Sequence, residues 1–292
     1  MSPGPVQLAA PFLLFAMMFV VGLELTVRDF RRIAAAPRAV VVGTLGQLIL
    51  LPAVTAAGLV VLDLSPRVTA GVVLILAAPG GGISNVFTLL AGANVALSVT
   101  LTAVASLLAV VTLPVITAVG FDVLAGGAGP DGDLVVPVLP MIGQLVVLVL
   151  VPIGLGMRVR ARRAAWADAK GPLLRRLVLA GVVVVIAISA TSDSTGLLGD
   201  TLDALWVGLA WTAMAMILGY TVAVVAGLEA VDRFTMAIEF SVKNVGLAAI
   251  VAISALGRPE LAVFAGAYVL TGYPLAVLAS LAFRRVYHHS AG

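Results

Sequence analysis

The sequence predicts a polytopic α-helical membrane protein. Of its 292 residues, 62% are hydrophobic, and its mean hydropathy is +1.18. Nine apolar stretches approach or exceed the roughly 20 residues that cross a bilayer as a helix. These stretches run over residues 5–27, 39–61, 67–91, 94–120, 135–157, 174–192, 203–228, 233–255 and 259–283. Because the links are short, we expect one membrane domain over residues 1–292 and no separate soluble domain.

Basic residues indicate how the nine predicted transmembrane helices are oriented. They concentrate after the first and fifth stretches, at the start of the eighth and after the last: Arg28, Arg31, Arg32, Arg38, Arg158, Arg160, Arg162, Arg163, Lys170, Arg175, Arg176, Arg233, Arg284 and Arg285. The opposite side carries Arg67 and Arg258. Short loops rich in Lys and Arg stay in the cytoplasm. We therefore expect a multi-pass protein of the cell (inner) membrane with its N-terminus outside and its C-terminus in the cytoplasm.

Two of the stretches contain residues that interrupt a helix. The third stretch has Pro79 followed by glycines at 80–82, and the eighth carries Glu239, Lys243 and Asn244 in its middle. Proline removes a backbone donor and clashes with the preceding turn, while glycine lowers helix stability. Non-helical backbone at this depth is tolerated where it is buried in protein or lines a wet cavity. We therefore predict two broken helices that face the protein interior.

The two interrupted stretches also match each other in sequence. Residues 84–86 (Ser-Asn-Val) correspond to residues 243–245 (Lys-Asn-Val), and Pro114 corresponds to Pro274 in the helix that follows. This predicts inverted repeats over about 5–120 and 135–284, each with one broken helix. Such repeats are typical of secondary transporters, whose binding sites lie at the repeat interface near the membrane midplane. Chance similarity combined with ordinary glycine packing is the alternative explanation.

Glu239 and its polar neighbours are the candidate cation site. A charge near the bilayer centre is costly and marks a functional position. Small hard cations prefer oxygen ligands, which Glu239, Ser84 and Asn85 supply. Ser98 and Thr102 lie four residues apart on one face of the next helix, although hydroxyls at such positions can simply bond to their own helix backbone. Exposed helix ends at the breaks would attract ions as well, so one crossing could hold a cation and an anionic substrate.

Other functional classes lack their characteristic residues. The chain has no cysteine, which excludes thiolate metal sites and cysteine nucleophiles, and His288 and His289 are interpreted as a solvated tail. It contains no HExxH, GxSxG or P-loop motif, so we expect neither an enzyme nor an ATP-driven pump. The basic residues are spread along the chain, so nucleic acid is not an expected partner, and no protein partner is evident.

Four segments together resemble the bile acid:sodium symporter family, and the resemblance runs from the first helix to the last. They are Gly22-Leu23-Glu24-Leu25-Thr26 with Asp29-Phe30, Pro79-Gly80-Gly81-Gly82-Ile83-Ser84-Asn85-Val86, Asn94-Val95-Ala96-Leu97-Ser98, and Glu239 with Asn244-Val245-Gly246-Leu247-Ala248. The resemblance implies a core domain and a panel domain, with the two broken helices crossing in the core. The predicted count of nine helices rather than ten is similar to that of family members that lack the first helix of the first repeat.

The resemblance also implies ion and substrate residues. One sodium ion would be held by Ser84, Asn85, Ser98, Thr102 and Glu239. A second would use Glu239, Gln47, the carbonyls of Phe240 and Val242, and a glutamine at the position of Lys243. The substrate would meet Asn244, Gly81, Gly82 and Tyr273. Some relatives carry His-Asn where this chain has Tyr273-Pro274, so a bile acid or pantoate specificity does not transfer directly.

Lys243 is the main departure from the family pattern. Its ammonium group could take the space and charge of the second sodium ion, and Glu239 four residues earlier is in the favourable order for a helical ion pair. Transport would then be coupled to one sodium ion or to protons. The alternative is that Lys243 turns toward water.

The sequence therefore predicts a secondary active transporter that moves a small organic anion, such as a carboxylate, through the bilayer with a coupled cation by alternating access. A passive channel and a membrane sensor without transport are the competing interpretations.

Overall fold

The computed structural model describes residues 5–35, 37–125, 136–191 and 197–289, and the regular secondary structure in these residues is helical throughout. The α-helices are α1 Pro5–Glu24, α2 Val27–Ala35, α3 Pro37–Leu45, α4 Leu51–Leu62, α5 Pro66–Ala77, α6 Gly82–Ala91, α7 Val95–Leu124, α8 Val138–Leu145, α9 Val151–Arg162, α10 Ala164–Thr191, α11 Leu197–Val225, α12 Ala230–Ser241, α13 Val245–Ile250 and α14 Ala262–His289. Residues 135 and 192, which bound two predicted stretches, and the side chains of His288 and His289 lie outside what the structure describes.

Six helical segments of the described chain are long and apolar enough to cross a membrane. They are Pro37–Leu62, Val95–Leu124, Val138–Arg162, Ala164–Ile188, Asp200–Val225 and Pro259–Tyr287. The remaining three predicted stretches form shorter apolar helices, Leu8–Glu24, Pro66–Ala77, Gly82–Ala91 and Val245–Ala255, together with α12. The chain is therefore an all-helical, multi-pass membrane protein, and the count of nine crossings stays a prediction.

The first apolar stretch ends earlier than predicted, and a short surface helix follows it. Helix α1 ends at Glu24, and α2 begins at Val27. Asp29 caps the start of α2, because its Oδ2 accepts hydrogen bonds from the main-chain N–H and the hydroxyl of Thr26, at 2.7 and 2.6 Å. This is the carboxylate half of a capping box, with Asp in place of Glu or Gln. The Thr26-x-x-Asp29 spacing could have indicated this helix from the sequence.

Two of the long helices contain π-helical turns that the sequence reasoning missed. Gly46–Leu50 joins α3 to α4, and Val146–Leu150 joins α8 to α9. Pro52 and Pro152 each lie two residues after the last residue of the turn. A proline inside a helix lacks its N–H and clashes with the carbonyl four residues earlier, so a local π-turn keeps each helix continuous. One of these turns carries Gln47, a predicted site residue.

The helices pack as two groups. In the first group, α1 packs against both α9 and α10. In the second group, α7 packs against α3, α5, α6 and α12, while α11 packs against α12 and α14. Contacts of α1 with α13 and of α10 with α14 join the two groups. The breaks between α5 and α6 and between α12 and α13 lie in the second group, where it faces the first.

Backbone-to-backbone contact holds α1 against α9. A Cβ added at Gly22 would lie 2.3 Å from the Ile153 carbonyl oxygen, and one at Gly156 would lie 2.3 Å from the Phe19 carbonyl oxygen. Small residues at such interfaces let transmembrane helices approach closely. Glycine at these two positions is therefore required by the packing.

Replacing Gly156 by alanine should lower the stability of the protein in detergent by about 1–3 kcal/mol, because the added methyl group forces α1 and α9 apart. Gly154 provides a matched control on the same helix, since an added Cβ there meets nothing within 4 Å. Gly154→Ala should be neutral or stabilising by up to about 1 kcal/mol through helix propensity. Thermal unfolding of the two variants checks the difference, and equal midpoints would refute the packing argument.

Candidate functional site

The two helix breaks cross and pair with each other. Helix α5 ends at Ala77 and α6 begins at Gly82, while α12 ends at Ser241 and α13 begins at Val245. Both breaks lie within the segments predicted from sequence. Gly80 and Lys243 form an isolated antiparallel bridge, in which Asn244 N donates to Pro79 O at 2.9 Å and Gly81 N donates to Val242 O at 3.4 Å. The two breaks thus satisfy part of each other's backbone polar groups, as a membrane interior requires.

Gly80 lies directly against the candidate cation site. A Cβ at this position would stand 2.7 Å from Glu239 Oε2 and 3.2 Å from Thr102 Oγ1. Any side chain here would therefore fill the space beside the carboxylate. Glycine at position 80 both permits the break and leaves the space beside the carboxylate free of a side chain.

Glu239 is surrounded by hydroxyl groups from two other helices. Its Oε1 accepts hydrogen bonds from Ser84 at 2.6 Å and from Ser98 at 2.5 Å, and its Oε2 accepts one from Thr102 at 3.0 Å. The Ser98 hydroxyl also lies 2.8 Å from Asn85 Oδ1. Glu239, Ser84 and Ser98 are fully buried. The structure therefore brings together all five residues predicted for the cation site.

The chemistry of this cluster fits a small hard cation. Its donors are carboxylate, hydroxyl and amide oxygens, which suit such ions. Within the described part of the chain there is no group of three or more His, Cys, Asp or Glu residues that could hold a metal ion. Ser98 and Thr102 do not serve only their own helix backbone, since both bond to Glu239. Occupation of the cluster by sodium stays a prediction.

Lys243 is buried and bonded to Gln47. Its ammonium Nζ donates to Gln47 Oε1 at 3.2 Å, and its side chain is 2% exposed. The alternative in which it turns toward water is therefore wrong. The predicted helical geometry of its pairing with Glu239 is also wrong, because Val242 leaves the helix with φ −107° and ψ 96°, although the two charges still interact electrostatically. The turn geometry that would bring residues four apart together is lost there.

Two tyrosines fix the main chain of Lys243, and one of them was missed by the sequence reasoning. Lys243 N donates to the Tyr268 hydroxyl at 3.2 Å, and that hydroxyl donates to the Ser241 carbonyl. The Tyr273 hydroxyl donates to Lys243 O at 3.0 Å. The rings of Tyr268 and Tyr273 meet edge to face at 5.6 Å. Tyr268 carried no sequence signal, because a tyrosine in an apolar helix is most simply a packing residue.

A cavity of about 260 Å³ lies beside the crossing, between the two helix groups. At the crossing it is lined by Gly81, Gly82, Asn244 and Tyr273, the four residues predicted to meet the substrate. Most of its other wall residues are aliphatic and lie on α1 and α10: Met17, Val20, Val21, Val178, Leu179, Val182, Val183 and Ile186. Its volume suits a small organic molecule rather than a single ion.

Glu24 and Arg175 also line this cavity. Arg175 Nε donates to Glu24 Oε1 at 2.8 Å, and its Nη2 donates to the same oxygen. The sequence reasoning used Arg175 for orientation and Glu24 as part of a motif, and assigned neither to the site. The sequence signal that could have identified it was Glu24 itself, because Glu24 is the one charged residue of the apolar stretch over residues 5–27.

Two broken helices that cross at a buried charge, beside a cavity between two helix groups, are features of ion-coupled secondary transporters. Comparison with known proteins agrees with this class. The chain belongs to the sodium bile acid symporter family, because the family model described as Sodium Bile acid symporter family matches residues 11–198. The resemblance identified from the sequence motifs is confirmed. Because the family consists of sodium-dependent transporters, the protein is not expected to be an enzyme.

Several named proteins are similar to this chain. The Bacillus subtilis (strain 168) protein named Uncharacterized sodium-dependent transporter YocS is 30% identical over 89% of this chain and 79% of its own length. Probable sodium/metabolite cotransporter BASS1, chloroplastic, from Arabidopsis thaliana is 25% identical over 84% of this chain and 59% of its own length. The human Ileal sodium/bile acid cotransporter is 26% identical over 80% of this chain and 66% of its own length. The chain therefore spans less than two thirds of the two eukaryotic relatives.

Proposed function

We propose that the protein is a secondary active transporter that carries a small organic carboxylate across the cell membrane together with one sodium ion. The cluster around Glu239 carries this proposal, because a buried carboxylate with three hydroxyl donors and an amide nearby suits a dehydrated sodium ion. The sodium dependence in the names of the relatives supports the choice of ion. The size of the cavity beside this cluster supports a small organic substrate.

The proposed architecture has nine crossings within the described residues. These are the six long helical segments, α1, and the broken pairs α5/α6 and α12/α13. We assign the group of α1, α9 and α10 to the panel domain and the other group to the core, with the N-terminus outside and the C-terminus in the cytoplasm. The charge distribution of the loops supports this orientation.

The inverted repeats over about 5–120 and 135–284 are part of this proposal. The antiparallel bridge between Gly80 and Lys243 supports them, since it joins one break from each repeat. The starts of α13 and α6 limit the sequence match between the repeats. Asn244 caps α13, whereas Asn85 lies one turn inside α6, so the matching Ser-Asn-Val and Lys-Asn-Val segments are not in equivalent positions relative to the helix starts.

The position of Lys243 supports coupling to one sodium ion. The resemblance assigns a second sodium to Gln47 and to the residue at position 243, and here the Lys243 ammonium bonds to Gln47 instead. A fixed positive charge at this place supplies the charge of an ion and repels another. The Glu239 cluster then accepts the single transported sodium ion.

Substrate binding is proposed in the cavity between core and panel. The carboxylate would lie near the crossing, where Asn244, Tyr273 and the glycine backbone of residues 81–82 form the wall, and the apolar body would pack against α1 and α10. Rocking of the two helix groups around this site would expose it to alternate sides, as in other transporters with broken helices.

Uptake into proteoliposomes tests this function. We expect a sodium gradient to drive uphill accumulation of at least one member of a panel of small carboxylates, with the proton gradient held at zero. A proton gradient imposed without sodium should not drive it. Equilibration without accumulation would indicate a passive channel, and sodium-dependent binding without flux would indicate a sensor; either result would overturn the proposal.

A further inference from the structure

The cavity contains one charge pair, Glu24 and Arg175, among the described residues that line it. The pair is only partly buried, with the Arg175 side chain 33% exposed and the Glu24 side chain 22% exposed. Arg175 Nε and Nη2 both donate to a single oxygen, Glu24 Oε1. The neighbouring guanidinium of Arg160 is instead paired with Asp168, at 2.5 Å. Arg175 is therefore the guanidinium group that the cavity presents.

The second carboxylate oxygen of Glu24 points to the helix crossing. A Cβ added at Gly82, the first residue of α6, would lie 3.3 Å from Glu24 Oε2. The Glu24 carboxylate thus lies between the Arg175 guanidinium on α10 and the start of α6, which belongs to the other set of helices. A substrate carboxylate bound at this place in the cavity would have the same two neighbours.

We infer that Arg175 binds the carboxylate of the transported substrate, and that Glu24 is an internal counter-ion which the substrate carboxylate replaces. This inference rests on the proposed function and adds a specificity-determining pair to it. A carboxylate that leaves water needs a charge-assisted partner, and the other cavity walls are largely aliphatic. A partly exposed ion pair contributes little to stability, so an incoming carboxylate can compete with Glu24 for the guanidinium.

The pair also defines the substrate class. The cavity offers one guanidinium group and one carboxylate, so a second negative charge on the substrate would meet Glu24 without a partner of its own. Aliphatic walls from α1 and α10 favour an apolar body. The substrate class is therefore a monocarboxylate with an apolar body, in preference to a dicarboxylate.

The test compares 4-methylpentanoate with the uncharged 4-methylpentanamide, using the purified full chain in saturating sodium and isothermal titration. Glu24→Gln removes the internal competitor and should tighten carboxylate binding by up to about fivefold, the range of a partly exposed ion pair. Arg175→Gln should weaken it by about tenfold or more through loss of a charge-assisted hydrogen bond. Neither substitution should change binding of the amide.

Two further variants keep the result interpretable. Arg176→Gln, one residue along α10 and not part of the cavity lining, should leave carboxylate affinity unchanged. Arg175→Lys should bind the carboxylate with an affinity between those of the wild-type protein and Arg175→Gln. It replaces Arg175→Gln in the test if that variant fails to fold. If Glu24→Gln weakens carboxylate binding as much as Arg175→Gln, the pair is a structural brace and the inference is overturned. Wild-type protein that does not prefer the carboxylate over the amide overturns it as well.

Stabilisation by sodium separates this inference from the proposed function. Sodium should raise the thermal unfolding midpoint of all these variants, because the Glu239 cluster is intact in each. If sodium still stabilises the protein and drives uptake, but neither Glu24→Gln nor Arg175→Gln changes the affinity for the carboxylate, the inference alone fails. If sodium neither stabilises the wild-type protein nor drives uptake, the proposed function fails.

Discussion

Replacing Glu239 by glutamine should abolish sodium-driven uptake while leaving the protein folded. The substitution keeps the shape of the side chain and an oxygen that Ser84, Ser98 or Thr102 can bond to, but it removes the negative charge. Opposite charges about 4 Å apart attract by roughly 4 kcal/mol at an effective dielectric constant near 20, which corresponds to about a thousandfold in affinity. We therefore expect a loss of at least about a hundredfold in sodium affinity, measured by equilibrium binding of radioactive sodium.

Glu229 provides the matched control for this substitution. It directly precedes the same helix, α12, but is exposed and makes no side-chain capping bond. Glu229→Gln should therefore bind sodium and take up carboxylate as the wild-type protein does. Sodium affinity that is unchanged in Glu239→Gln, or reduced equally in both variants, would remove Glu239 from the ion site.

Replacing Lys243 by glutamine should create a second sodium site. The substitution removes the buried positive charge, frees Gln47 Oε1 from its bond to the ammonium and adds another amide oxygen at the crossing. Oxygen ligands then replace a fixed cation in the same space. We expect the number of sodium ions bound per protein to rise from one to two, and carboxylate uptake to depend more steeply on sodium concentration.

Lys170 is the other lysine of the chain, and it is exposed on α10. Lys170→Gln removes the same charge from the surface and should leave the number of bound sodium ions at one. If Lys243→Gln still binds a single ion while remaining folded and active, Lys243 does not stand in place of a second sodium.

The sequence was sufficient for the features that depend on local chemistry. Pro79 with its glycines, and the polar residues around Lys243, can interrupt a membrane helix only where protein surrounds them, so both breaks were predictable. The grouping of Ser98 with Thr102 followed from helical spacing. Glu239 identified the centre of the cluster, because a carboxylate in an apolar segment needs partners.

The features that depend on tertiary packing were not predictable. The helical ion pair of Glu239 with Lys243 was inferred from spacing alone, and the extended conformation of Val242 removes it. Arg175 and Glu24 lie 151 residues apart, and no local pattern joins them. The role of Tyr268 likewise depends on how α14 packs against the break. Charge and spacing thus predicted the cluster around Glu239, whereas the cavity beside it could be located only from the fold.

The most direct test of sodium coupling by this protein is the ratio of sodium ions to carboxylate ions moved by the wild-type chain. Radioactive sodium and a labelled carboxylate, followed in the same proteoliposomes under a sodium gradient, give this ratio. We expect uphill carboxylate uptake with one sodium ion per carboxylate. Two sodium ions per carboxylate with Lys243 intact, or uptake driven by protons without sodium, would contradict it.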